Sequence, residues 1–200
     1  MAKSRTTGQT RAGAGIIAGA GAAVLVTVLI AGCGGSSTRR ASGQFAWLHP
    51  ASPPTGWSVA RTAGGATLAY PPGWSPIKTD IGTASAALLG RGGRIDGYLN
   101  ATPRQGPETL ANWSSFRPTH NSREGSRNVR LIASISDARF RSGRGSCVID
   151  SYTTSKDTYR EIACLVTGPG SSAVVVAAAP NALWGQQAGS LERAVSSFAA

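Results

Sequence analysis

The sequence predicts an α+β fold in which an antiparallel β-sheet is flanked by helices. Residues 146–154 and 158–167 are rich in β-branched and aromatic side chains and are separated by a turn sequence, as in a β-hairpin. A continuous apolar run over 172–178 is typical of a central strand. Apolar residues then recur every three or four positions from Trp184 to Phe198, which predicts a helix that packs on the sheet.

The N-terminus has the order of a secretory signal: basic residues, an apolar stretch and then small residues. Lys3, Arg5 and Arg11 precede the apolar stretch Ile16–Ala31, and Cys33 follows it closely. An uncleaved transmembrane anchor is the alternative, but a spanning helix needs roughly 20 apolar residues. This stretch is shorter and rich in Gly and Ala, so a cleaved signal is the preferred interpretation.

The cysteine after the small residues resembles the lipobox of bacterial lipoproteins. The resemblance implies that Cys33 is acylated, for example with palmitate, and that the chain is cut before it. Residues 1–32 would then be the signal peptide, 33–44 a flexible tether and 45–200 a single extracytoplasmic α+β domain. The predicted location is the outer face of the cytoplasmic membrane, with a lipid anchor.

Charge is unevenly distributed along the chain. The predicted signal holds three of the 20 basic residues and none of the nine acidic ones, so the remainder carries a net charge of +8. Between positions 117 and 144 only Glu124 and Asp137 offset seven arginines, which are Arg117, Arg123, Arg127, Arg130, Arg139, Arg141 and Arg144. Such a segment predicts a patch for an anionic lipid or wall polymer rather than for nucleic acid. The alternative is that the arginines reflect the composition of a GC-rich genome.

Short alternating or apolar runs predict further strands along the chain. They lie at 66–70, 84–89, 97–101, 129–136 and 138–141, and the last leads into a turn at 142–145. Pro107 predicts the start of a helix that ends near Arg117, because Pro118 restricts the residue before it. Asn181 is the predicted cap of the final helix.

Cys147 and Cys164 are the two cysteines of the predicted domain, and an even pair in an exported domain predicts a disulfide. If the two residues face each other in a hairpin, Ile149 faces Ile162 and Tyr152 faces Tyr159, and both are favourable cross-strand pairs. A free thiol pair is the alternative, but the spacing is not that of a redox motif. Closing a loop of this size stabilises a protein by roughly 3 kcal/mol.

The same register places Asp150 opposite Glu161, where like charges are unfavourable. Two carboxylates could perform acid–base chemistry or bind a cation. The alternatives are an exposed and screened pair, a pair bridged by an arginine such as Arg160, or a different register. The sequence leaves these open.

The stretch from Leu68 to Ser75 (LAYPPGWS) resembles the strand and Pro-Gly-Trp opening of PsbP-like domains, a fold also attributed to actinobacterial lipoproteins. The later order of antiparallel strands and a closing helix is similar too, so the resemblance covers about Thr62 to Phe198. It implies a PsbP-like sandwich that binds or scaffolds, with no catalytic residues to carry over. The segment from Trp47 to Trp57 is not covered and is predicted to lie as a strap over the domain.

Five tryptophans offer a second binding hypothesis, because exposed aromatic rings can stack on sugars. Trp113 and Trp184 lie on predicted helix stripes and Trp74 follows a strand, so core packing is the preferred interpretation for these three. For Trp47 and Trp57, which flank the predicted strap, both core packing and sugar binding stay open.

The sequence contains no Gly-x-Ser-x-Gly, no His-Glu-x-x-His and no phosphate-cradling glycine loop. His49 and His120 lie in predicted loops. We therefore expect no catalytic, metal or cofactor site, but a lipoprotein that binds an envelope protein, lipid or wall component. The alternative is a hydrolase or transferase of wall polymers. A cleft in which polar groups converge around the histidines, Asp150 or Glu161 would favour that alternative, and an apolar groove would favour lipid binding.

Overall fold

The computed structural model describes residues 43–200; the predicted signal peptide, Cys33 and most of the predicted tether lie outside this range. Seven strands of the described part form one antiparallel sheet in the order β3-β4-β5-β9-β8-β7-β6. Two further strands, β1 and β2, pair with each other. With two helices packed on the sheet, the arrangement confirms the predicted α+β class.

The strands are β1 (Ser58–Arg61), β2 (Thr67–Tyr70), β3 (Ser75–Pro76), β4 (Ala84–Leu89), β5 (Ile95–Pro103), β6 (Arg127–Phe140), β7 (Gly143–Thr153), β8 (Thr158–Thr167) and β9 (Ser172–Pro180). The helices are α1 (Trp113–Arg123) and α2 (Trp184–Ser196). Strand β9 lies at the centre of the sheet, which explains why its sequence is apolar throughout.

The cysteine hairpin has the predicted register. Its cross-strand pairs are Cys147 with Cys164, Ile149 with Ile162, Asp150 with Glu161 and Tyr152 with Tyr159. The two cysteines form a disulfide that joins β7 to β8. This hairpin therefore fixes which residues of the two strands share a face of the sheet.

The larger core lies between the sheet and α2. Leu99, Ile162 and Val175 of the sheet pack there with Leu191 and Phe198, and all five are fully buried. The segment before β1 borders this core: the Ala51 N–H donates to the Ser196 carbonyl, and Trp47, Leu48 and Trp57 pack at the edge. Neither helix of the described residues is long and apolar enough to cross a membrane.

The predicted bounds of the first helix are wrong. Residues 109–112 form a separate turn, in which the Thr109 N–H donates to the Asn112 side chain and the Asn112 N–H donates to the Thr109 hydroxyl. Helix α1 begins only at Trp113 and continues through Pro118 to Arg123. A proline removes one helical hydrogen bond but does not forbid the helix, and burial of the helix on the sheet outweighs that loss.

The cap predicted for the final helix is also wrong. Asn181 belongs to a turn that follows β9, where its N–H donates to the Thr158 carbonyl, and the residue that precedes the helix is Leu183. The predicted apolar face is confirmed in its C-terminal half, since Leu191 and Val195 are fully buried. Phe198 is fully buried although it follows the end of the helix.

The two strands predicted over 129–136 and 138–141 are one strand, β6, which forms an edge of the sheet. The turn to β7 is shorter than predicted, because Phe140 already pairs with Gly143. A side chain at Gly143 would clash with the Thr167 carbonyl oxygen, which explains the glycine. Leu131 and Ile132 of β6 are exposed.

Candidate functional site

Helix α1 covers part of the sheet face opposite α2. Trp113 is buried there against Val148, Ala163 and Leu165, and its indole N–H donates to the Ala163 carbonyl at 2.9 Å. Phe116 packs against the same group. This contact fixes the helix on the sheet and so determines where its polar residues lie.

A cleft lies between α1 and strand β5 on this face of the sheet. It consists of two adjoining cavities of about 240 Å³ and 230 Å³. Both cavities are lined by Thr102, Gln105, Arg117, His120 and Val174. We call these two cavities together the α1 cleft.

Three polar side chains form a fixed group in one wall of the α1 cleft. The Arg117 Nε donates to Glu161 Oε1 at 2.7 Å, and the Tyr152 hydroxyl donates to Glu161 Oε2 at 3.0 Å. Glu161 is 1% exposed and the Arg117 side chain 14%. Burial opposes the charge on Arg117, but the Glu161 carboxylate raises the pKa of the guanidinium above its ordinary value. Each oxygen of Glu161 therefore accepts one hydrogen bond, and the ion pair holds α1 to β8.

The second carboxyl of the predicted pair lies beside the first. Asp150 is fully buried, and its Oδ2 accepts a hydrogen bond from the Asn121 side chain at 3.2 Å. Its Oδ1 has no partner among the described residues. Burial and the neighbouring Glu161 carboxylate raise the pKa of Asp150 to about 8. The carboxyl is thus neutral at pH 7, and the pair carries one negative charge, which Arg117 balances.

The opposite wall of the α1 cleft comes from β5. Tyr98, Asn100 and Thr102 alternate along this strand, so their side chains share one face. The Asn100 amide donates to the Ser85 hydroxyl at 2.7 Å, and that hydroxyl lies 2.7 Å from the Thr79 hydroxyl. Burial raises the pKa of Tyr98, which keeps its hydroxyl protonated. This wall is polar and uncharged.

The two histidines are separated. His120 is half-buried, lines both cavities and stacks on Phe116 with ring centroids 5.9 Å apart. His49 is exposed in the segment before β1 and is not among the residues that line the cleft. Of the four candidate groups that the sequence indicates, His120 and Glu161 line one cleft, with Asp150 beside Glu161. Polar groups therefore converge, but His120 has no hydrogen bond to Glu161.

The arginines of the predicted anionic-ligand patch do not lie together. Arg117 is buried in its ion pair, and Arg144 pairs with Asp137 at the surface. Arg127 pairs with Thr153 and Arg139 with Arg144, nine residues away along β7, so the two arginines lie about 30 Å apart. The exposed members are Arg123, Arg127, Arg130, Arg139, Arg141 and Arg144. A ligand for the exposed arginines stays a prediction, but one compact patch of all seven is excluded.

Arg160 does not bridge the two carboxylates. It lies next to Glu161 in the strand, so its side chain points to the opposite face of the sheet. There its guanidinium lies 4.9 Å from the centre of the Trp184 ring and donates to the Gln44 side chain. The arginine that pairs with Glu161 is Arg117, which the charge pattern of the sequence groups with the surface arginines, and it makes no ion pair with Asp150. Strand periodicity alone is enough to exclude Arg160 as a bridge between Asp150 and Glu161.

The tryptophans belong mainly to the core. Trp113 is 1% exposed and Trp74 8%. Trp47, Trp57 and Trp184 are partly buried and pack against the larger core. Arginine side chains cover the rings of Trp57 and Trp184. The aromatic rings that line the α1 cleft are instead Tyr98, Tyr152, Phe116 and Trp113, and no sequence pattern marks the two tyrosines as binding residues.

No protein-family model matches the chain, and a search of curated proteins found no match. Several solved structures are similar. The solution structure of cyanobacterial PsbP (CyanoP) from Synechocystis sp. PCC 6803 aligns with a TM-score of 0.52 at 15% identity, over 71% of this chain and 91% of that chain. A protein of unknown function, PA94 from Pseudomonas aeruginosa, aligns with a TM-score of 0.47 at 11% identity, over 70% of this chain and 94% of that one.

LpqN, described as involved in cell envelope biogenesis of Mycobacterium tuberculosis, aligns with a TM-score of 0.41 at 11% identity, over 75% of this chain and 88% of that chain. At these identities the comparisons bear on the fold alone, and of these three alignments that with CyanoP is close enough to do so. Together with the antiparallel sheet and its two helices, it shows that the chain has a PsbP-like fold.

Proposed function

We propose that this protein is a lipid-anchored component of the outer face of the cytoplasmic membrane, and that its PsbP-like domain binds a small polar envelope component without transforming it. The binding site is the α1 cleft. The observation that carries the proposal is the buried group of Arg117, Glu161 and Tyr152 in the wall of an open cavity.

A buried ion pair is an expensive way to stabilise a fold, because both charges lose their hydration. Here the pair lines a cavity rather than a packed core, and hydrogen bonds hold its members in place. Polar groups that are fixed before the ligand arrives lose little conformational freedom on binding. These features support recognition of a polar ligand over recognition of a hydrocarbon chain.

We propose binding without catalysis because of the state of the two carboxyl groups beside the cleft. Both oxygens of Glu161 already accept hydrogen bonds, and the neighbouring Asp150 is neutral at pH 7. A general base must lie within hydrogen-bond reach of the proton that it takes, whereas contacts with Arg117 and Tyr152 fix Glu161 in the wall of the cleft. The arrangement therefore supports holding a ligand more than activating one.

The anchor is tested by the intact mass of the full chain from the membrane fraction of a bacterial host that processes lipoproteins. We expect the mass of a chain that begins at acylated Cys33 and gains two hydrogens when the disulfide is reduced. The Cys33→Ser variant should lose the acyl mass and leave the membrane fraction. An unmodified full-length mass for the wild type would overturn the anchor.

The cleft is tested by native mass spectrometry of the same preparation. Thr102→Trp fills the cleft, and Gln186→Trp places the same side chain on the exposed surface of α2. We expect a small molecule bound to the wild type and to Gln186→Trp but absent from Thr102→Trp. If the three proteins carry the same bound molecules, the cleft is not the binding site.

A further inference from the structure

We infer that the ligand of the α1 cleft is a hydroxyl-rich saccharide unit that carries no negative charge. This inference rests on the proposed function, since it names the chemical class of the component that the cleft would bind. Three properties of the lining carry it: carboxylates outnumber basic side chains, the uncharged polar groups offer donors and acceptors of hydrogen bonds, and the floor is apolar.

The charge of the lining disfavours an anionic ligand. Arg117 and Glu161 neutralise each other at 2.7 Å, so an anion would find this cation already paired. Two further carboxylates line the cleft: Asp80, which is exposed, and Glu108, which is buried and whose Oε2 has no hydrogen-bond partner among the described residues. Burial opposes the charge on Glu108, but hydrogen bonds from backbone N–H groups lower the pKa of its carboxyl. Among the described lining residues, carboxylates therefore outnumber the one arginine.

The uncharged polar groups match hydroxyls. Asn100 and Gln105 carry amides, and Tyr98 and Thr102 carry hydroxyls, so each of these side chains has both a donor and an acceptor. The Tyr152 hydroxyl donates its hydrogen to Glu161 and offers a ligand an acceptor only. A sugar hydroxyl has the same dual character. Only the Nε of Arg117 is used by Glu161, and neither Nη has a hydrogen-bond partner in the described part of the chain. These nitrogens add donors for ligand oxygens without adding uncompensated charge.

The floor of the cleft provides the apolar complement. Val174 and Val176 of β9 line the larger cavity beneath the polar walls. A sugar ring has an apolar C–H surface edged by hydroxyls, so it can contact valines with one face and polar side chains with its rim. A lipid chain would leave the polar walls without partners, which is costly for buried groups.

The volume of the cleft limits the size of the ligand. The larger cavity, at about 240 Å³, has the volume of about eight water molecules. This space suits one sugar ring, and the adjoining cavity of about 230 Å³ suits a second. The exposed Gln105 lines both cavities, so the cleft is reached from the surface. A short segment of a glycan therefore fits better than a large planar cofactor.

The test is saturation-transfer NMR with the full-length protein in lauryl dimethylamine oxide, a detergent that contains no sugar. The probes are glucose and N-acetylglucosamine, which are neutral, with glucuronate, glucosamine and glucose 6-phosphate as charged counterparts of similar size. We expect saturation of glucose, N-acetylglucosamine and glucosamine, and much less of the two anionic sugars, in the wild type and in Gln186→Trp. Thr102→Trp should abolish the signal.

A milder variant controls for misfolding. Thr102→Val removes a hydroxyl and keeps the shape, so it should weaken binding of a neutral sugar about tenfold if one hydrogen bond is lost. Preferential binding of glucuronate or glucose 6-phosphate would overturn the inference and leave the proposed function standing, because the cleft would still bind a polar molecule. Equal binding by wild type and Thr102→Trp would also overturn the inference. A lipid chain bound to the cleft in native mass spectra would overturn the proposed function as well, because that function names a polar component. If no small molecule depends on the cleft at all, both fail.

Discussion

The neutral carboxyl of Asp150 makes the free energy of unfolding depend on pH in an unusual direction. At low pH the carboxyl is protonated in both the folded and the unfolded chain. As the pH rises, the unfolded chain releases the proton near its ordinary pKa of 3.8, whereas the folded protein keeps it until about pH 8. The folded state binds the extra proton in this window, so the free energy of unfolding must fall as the pH rises.

The size of this change in the free energy of unfolding follows from the titration of one proton. Each pH unit within the window lowers the free energy of unfolding by up to about 1.4 kcal/mol, or about 3 kcal/mol between pH 5 and pH 7. Asp150→Asn removes the titration, keeps the shape and can still accept the hydrogen bond from Asn121. We therefore expect the variant to gain stability over the wild type steadily as the pH rises from 5 to 7.

The assay is urea unfolding of the oxidised protein at pH 5, 6 and 7, followed by fluorescence of the tryptophans, of which Trp113 is fully buried. Asp137→Asn is the matched control. Asp137 is exposed, and its hydrogen bond with Arg144 lowers its pKa, so it stays ionised throughout the window. A constant difference between Asp150→Asn and wild type across the three pH values would refute the reasoning, because Asp150 would then be ionised in the folded protein.

Three further changes test the contacts that surround the cleft, each by urea unfolding. Replacing Cys147 and Cys164 together with serine should lower the free energy of unfolding by about 3 kcal/mol, since the unfolded chain regains the freedom of the closed loop; an unchanged midpoint would mean that the disulfide is absent in solution. Arg117→Gln should cost about 3–5 kcal/mol because it leaves Glu161 buried and unpaired, and adding Glu161→Gln should recover part of that loss. An additive double variant would contradict the ion pair. Pro118→Ala should stabilise the protein by about 1–3 kcal/mol by restoring a helical hydrogen bond, and destabilisation would show that the helix depends on the proline.

Pairing within the hairpin can be predicted because its signals are local. Cys147 and Cys164 flank a short turn, and once they are paired the period of two places every other residue of both strands. The same period sets Asp150 opposite Glu161, three positions inside the disulfide on each strand. Local residues thus determine the position of the carboxyl pair, although not its burial.

The partner of that pair cannot be predicted in this way. Arg117 reaches Glu161 across 44 positions of sequence, and that contact depends on how α1 lies on the sheet. Local rules misplace the helix because they treat Pro118 as a stop signal, whereas packing of Trp113 on the sheet holds the helix through it. The walls of the cleft depend on the same tertiary contact, so sequence patterns give no sign of them.

The long edge strand β6 also affects how copies of this protein meet. An edge strand presents unpaired backbone groups, and Leu131 and Ile132 make this one apolar at its centre. The pairing of β6 with β7 is interrupted at three places, and Arg127, Arg130 and Arg139 stand exposed along the strand. Irregular pairing and repeated positive charge both oppose the addition of another chain at an edge. The exposed arginines of β6, which the sequence groups with a ligand patch, thus oppose edge-to-edge pairing of two copies through this strand.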